Sequence, residues 1–68
     1  MKANYIIILD YSVGEVIRIK LTKEQIEESE QYENFESFLS TLEEVYDFRL
    51  KDCLWMSTET YRERSFGF

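Results

Sequence analysis

A small α+β domain is what this sequence predicts, and three stretches carry the prediction. Tyr5-Ile6-Ile7-Ile8-Leu9 is apolar without alternation, as expected of a strand in the middle of a sheet with both faces covered. Glu15–Leu21 alternates, with Ile17, Ile19 and Leu21 on one side and Val16, Arg18 and Lys20 on the other. Phe35, Phe38, Leu39, Leu42 and Tyr46 recur at helical spacing, with Val45 beside them. The whole chain of 68 residues reads as a single domain.

In chain order, the first strand spans roughly residues 4–11. Asp10-Tyr11-Ser12-Val13-Gly14 then has turn chemistry, because Asp and Ser side chains bond nearby backbone and Gly14 tolerates positive φ. The second strand follows at once, so the pair is an antiparallel hairpin. Thr22-Lys23-Glu24-Gln25 matches a capping box and starts a helix. Ile26 lies nine residues before Phe35, on the opposite side at 100° per residue. One continuous straight helix cannot bury both, which predicts a break near Tyr32–Asn34, with Asn34 capping a second helix, or else a kink. The helix is expected to stop near Asp47-Phe48, with Arg49 and Lys51 close to its negative end.

A third extended segment, residues 52–58, places Leu54 and Met56 on one side and Cys53 and Trp55 on the other. Tyr61–Phe68 reads either as a fourth strand or as a tail pinned by Phe66 and Phe68. The order β-β-α-β, with a crossover through the helix, sets the third strand beside the first. The expected antiparallel sheet, of three strands or four, therefore has the order 2-1-3, with a broken or kinked helix on one face. That order puts Tyr5–Leu9 in the centre, as its composition requires.

Composition excludes much chemistry. Histidine is absent, which removes the commonest base, the commonest metal ligand and every histidine-assisted nucleophile. Two glycines cannot build a phosphate loop, and one cysteine cannot build a zinc site or an internal disulfide. No catalytic, cofactor or metal residues are assigned, and a non-enzymatic protein is expected. Cys53 and the absence of disulfides suit a reducing compartment, and the apolar run ending at Asp10 is too short for a signal peptide or a membrane span. A cytoplasmic protein is the expectation.

Charge is unevenly placed. Residues 22–47 hold nine acids against Lys23, a net of −8; the remainder holds seven bases and five acids, a net of +2, for a total of −6. Such a balance disfavours nucleic acid as a partner. One helix covers one face of the sheet. The open face should show either Ile6 and Ile8 or Tyr5, Ile7 and Leu9, flanked by Arg18 and Lys20 and by Trp55 or Met56. Tyr5, Ile7, Leu9, Arg18, Trp55, Phe66 and Phe68 are therefore candidate contacts for a protein partner or a second copy. An interaction or accessory domain docking through that apolar face is the expected function. The alternative is an acidic decoy that turns Glu24, Glu27, Glu28, Glu30 and Glu33 toward a basic partner.

Overall fold

A computed structural model describes residues 3–68. Strands β1 (Tyr5–Asp10), β2 (Glu15–Lys20) and β3 (Cys53–Thr58) form one antiparallel sheet in the order β2-β1-β3. Helices α1 (Lys23–Ser29) and α2 (Phe35–Tyr46) and a short 3₁₀ turn, Leu50–Asp52, lie between β2 and β3. The predicted α+β architecture and strand order are both observed.

The hairpin closes as its side chains require. Asp10 Oδ1 accepts from the Ser12 N–H at 3.0 Å and from the Ser12 hydroxyl at 2.6 Å, and Gly14 takes φ +70°. Across β1 and β2, Tyr5 pairs with Lys20, Ile7 with Arg18 and Leu9 with Val16. Across β1 and β3, Tyr5 pairs with Thr58, Ile7 with Met56 and Leu9 with Leu54.

The capping box at Thr22 forms in both directions. The Gln25 N–H donates to Thr22 Oγ1 at 3.1 Å, and the Thr22 N–H donates to Gln25 Oε1 at 2.9 Å. The helix breaks where the apolar phase demanded it. After α1 ends, Asn34 Oδ1 accepts from the Ser37 N–H at 2.8 Å and restarts the chain as α2. The break lets Ile26 and Tyr32 pack on the same core as Phe38, which one straight helix would have prevented.

α2 buries Phe38, Leu39 and Leu42 against the sheet, but Tyr46 and Val45 face solvent. No basic residue lies in its last turn; Arg49 and Lys51 follow its end in sequence. Asp47 ends it in the left-handed conformation (φ 56°, ψ 64°), and the Phe48 N–H donates to the Glu43 carbonyl at 3.2 Å. This turn drives Phe48 into the core, a burial that helical periodicity gave no reason to expect.

The sheet's helix-facing side carries Ile6, Ile8, Ile17, Ile19, Cys53 and Trp55, which join the α2 stripe, Leu21 and Phe48 in one cluster. Phe35 stands at the end of that cluster with its ring 5.6 Å from both Phe38 and Trp55. Residues 59–68 form no fourth strand. They turn back across the sheet, held by the Asn4 amide donating to the Glu59 carbonyl at 3.0 Å.

Candidate interaction surface

Helix packing on Ile6 and Ile8 decides which residues the sheet leaves open. They are Tyr5, Ile7 and Leu9 on β1, Val16, Arg18 and Lys20 on β2, and Leu54, Met56 and Thr58 on β3. The residues stand in three rows: Lys20–Tyr5–Thr58, Arg18–Ile7–Met56 and Val16–Leu9–Leu54.

The two ends of this face differ. At the Tyr5 end the returning chain covers the sheet, with the Tyr61 ring 6.1 Å from Tyr5. The Tyr61 hydroxyl donates to Glu63 Oε2 at 2.6 Å, and Arg18 Nη1 donates to the same oxygen at 3.3 Å. Glu63 favours the protonated Tyr61 hydroxyl by accepting its hydrogen bond, which raises the phenol above its ordinary value. At the hairpin end nothing among the described residues covers the sheet. Leu9 is 46% exposed, Val16 58%, Leu54 63% and Met56 50%. Beyond them, Leu9, Tyr11, Gly14 and Val16 line an open hollow, and Val13 is also exposed at the tip.

The sequence-derived contact set is therefore divided by the fold. Tyr5, Ile7, Leu9 and Arg18 do share the open face. Ile7 is nonetheless only 7% exposed, lying between Arg18 and Met56. Trp55 belongs to the other side: it pairs with Ile8 and stacks on Phe35, so Met56 and Leu54 take the place expected of it. Phe66 and Phe68 are exposed and do not pin the segment; Phe66 instead lies 5.0 Å beneath the Arg64 guanidinium. Val16 and Leu54 join the face because the strand register sets both opposite Leu9, which alternation alone does not give.

The acidic residues form no continuous helical ladder. Glu24, Glu27 and Glu28 lie on α1, Glu30 is its C-cap, and Glu33 lies in the segment between the helices; all five are exposed. Among the described residues, no group of acids or Cys53 has the proximity to hold a metal ion. No helix there is long and apolar enough to cross a membrane.

Cys53 is buried, at 8% exposure, and its Sγ donates to the Arg49 carbonyl at 3.1 Å. Burial raises the thiol above its ordinary value of 9.0, and the carboxylates of Asp10, Asp52 and Glu43 raise it further. A thiol held protonated in this way is a poor nucleophile. Thiol labelling at neutral pH should thus proceed only as fast as the fold opens, and should accelerate in urea. Because the unfolded thiol ionises first, folding stability should fall as pH rises through about 9, where the unfolded state binds fewer protons. Immediate stoichiometric labelling of the folded protein would contradict this.

Compared with known proteins, this chain matches no family model, no curated protein and no solved structure.

Proposed function

We propose that this protein is a non-enzymatic interaction domain, and that it docks through the open sheet face on an acidic-rimmed apolar surface of another protein. The observation that carries the reading is the contiguous set Leu9, Val16, Leu54 and Met56, exposed together on a sheet whose other face is packed. Scattered exposed apolar residues are ordinary on any protein, whereas four adjacent ones on a rigid platform favour burial against a partner.

Charge complementarity defines the partner. Arg18 and Lys20 lie on the same face, and Arg62 and Arg64 stand on the segment that crosses it. The acidic groups of residues 22–47 are on the helices and their connections. Glu63 already occupies Arg18, but the pair is more than half exposed, so its net worth is about 0–1 kcal/mol. A partner carboxylate can replace it at little cost.

The test is recovery of interacting proteins by the wild type and by Leu9→Asp, with cross-links mapped on the bait. A specific partner should be lost with Leu9→Asp, and its cross-links should fall on β2, β3 and residues 59–64. Retention of every partner by Leu9→Asp would sink the proposal, as would cross-links confined to the helices.

A further inference from the structure

We propose that β3 pairs antiparallel with β3 of a second copy of this chain, making one sheet in the order β2-β1-β3-β3-β1-β2. The inference goes beyond docking through the open face and does not depend on it, because it concerns the sheet's edge.

Both outer strands of the sheet are edges, and they differ in chemistry. β2 reads Glu-Val-Ile-Arg-Ile-Lys, with three charges in six residues, which is how natural sheets protect an edge from pairing. β3 reads Cys-Leu-Trp-Met-Ser-Thr and carries no charge at all. Nor does the rest of the chain shield it among the described residues. The segment after Thr58 leaves toward Asn4, Tyr5 and Arg18, away from the outer side of β3.

The ladder identifies the groups that are free. The Leu21 N–H donates to the Asn4 carbonyl at 2.9 Å, so that carbonyl and the main chains of Ile6, Ile8 and Asp10 are directed at β2, while the Asn4 N–H turns the other way to the Thr58 carbonyl at 3.0 Å. Tyr5, Ile7 and Leu9 are then directed at β3, where they meet Thr58, Met56 and Leu54. Trp55 and Ser57 consequently turn their N–H and C=O groups outward, as does Cys53 its C=O, while the Cys53 N–H is taken by the Leu50 carbonyl.

Two copies related by a two-fold axis through Trp55 pair the Trp55 N–H and C=O reciprocally and give the Ser57 N–H the Cys53 carbonyl of the other copy, leaving the Ser57 carbonyl to solvent. Trp55 then faces Trp55, Cys53 faces Ser57, and Leu54 faces Met56 of the other copy. Faces also agree. The apolar row Val16–Leu9–Leu54 runs on into Met56–Ile7–Arg18 of the second copy, and both helical layers remain on one side. Next to Trp55 on that side is an open hollow lined by Asn34, Phe35, Ser37 and Ser40, which gives the second indole a place to lie. The assembly closes at two copies because its new outer edges are the charged β2 strands.

Light scattering on the purified full chain tests the proposal. The wild type should show twice the 8.3 kDa mass of the chain at micromolar concentrations and above. L54K/M56K should return the mass to that of a single chain, because like charges then face each other across the axis. L54E/M56K should restore the doubled mass, since in this register each new carboxylate faces a new ammonium. V16D, on the open face but on β2 and so far from the β3 edge, should leave the doubled mass unchanged. The amides of Trp55 and Ser57 should exchange more slowly with deuterium as protein concentration rises. The proposal is overturned by a wild type that stays monomeric at millimolar concentration, by V16D becoming monomeric, or by a folded L54E/M56K that remains a single chain. It is equally overturned by rapid exchange at Trp55 and Ser57 at every concentration. Loss of the partner described above without change in mass would leave this pairing intact, so the two proposals fail separately.

Discussion

Phe38→Ala is expected to remove a large share of the protein's stability. A domain of 68 residues has on the order of 3–10 kcal/mol to lose, at about 0.05–0.15 kcal/mol per residue. Phe38 is fully buried at the centre of the core, with its ring 5.9 Å from Tyr32 and 5.6 Å from Phe35. Truncation at such a site costs about 3–5 kcal/mol, because the transfer of the ring is lost and the cavity only partly collapses. Here the cavity would undercut both helices and the sheet at once, since Phe38 lies between the α1–α2 connection and β1. Urea titration followed by far-ultraviolet circular dichroism should show a midpoint well below that of the wild type, or no folded baseline. Val45→Ala serves as the control, being exposed on the same helix, and should be neutral or slightly stabilising through helix propensity. A cost for Phe38→Ala below about 1 kcal/mol would contradict the assignment of this ring to the core.

Ile7→Asp and Leu9→Asp should behave oppositely although they change neighbouring positions on one face of one strand. Ile7 is enclosed by the Arg18 and Met56 side chains of the flanking strands. A carboxylate there must either shed its water or take up a proton, and Arg18 is already bonded to Glu63. Burying an uncompensated charge costs about 3–5 kcal/mol, enough to unfold a domain of this size. Leu9 is half exposed at the hairpin end, so the same change should cost only about 1 kcal/mol through lost packing and strand propensity. Denaturant titration of the two variants separates them, with Ile7→Asp unfolded and Leu9→Asp cooperative near the wild-type midpoint. Two equally stable variants would mean that Ile7 is as open to water as Leu9. The contrast also selects the reagent for partner binding: a loss with Leu9→Asp reports on the surface, while a loss with Ile7→Asp reports only on folding.

Much of the fold was legible because it follows from local periodicity. Three β-branched residues in succession at positions 6–8 require a central strand, and alternation in residues 15–21 requires one beside it. The conflict of phase between Ile26 and Phe35 required a break or a kink, and the structure shows the break, with Asn34 capping what followed. The end of α2 was legible only in position. The sequence offered no residue that ends it, whereas a left-handed Asp47 does so, and backbone conformation at one residue leaves no periodic trace.

The candidate surface was legible in kind and not in membership. Alternation separates Leu54 and Met56 from Cys53 and Trp55, yet it does not say which pair faces the helix. That choice depends on the register of β3 against β1, which sets Trp55 beside Ile8 and Met56 beside Ile7. Register is a long-range property, fixed when the α2 stripe, Phe48 and the inward strand residues close on one another.

The sequence by itself determined that Tyr5–Leu9 is central, that one helical layer covers one side of it, and that histidine-based chemistry and a cysteine-built zinc site have no residues to work with. Tertiary structure alone decided that Ile6 and Ile8 face inward and that Leu9, Val16, Leu54 and Met56 remain open. It alone showed that residues 59–68 cover only the Tyr5 end of the sheet and that the uncharged β3 strand is an edge. The physical reason is a difference of range. Burial patterns along a strand or helix are written in residues a few positions apart, whereas which face is covered, and how far, depends on where distant segments come to rest.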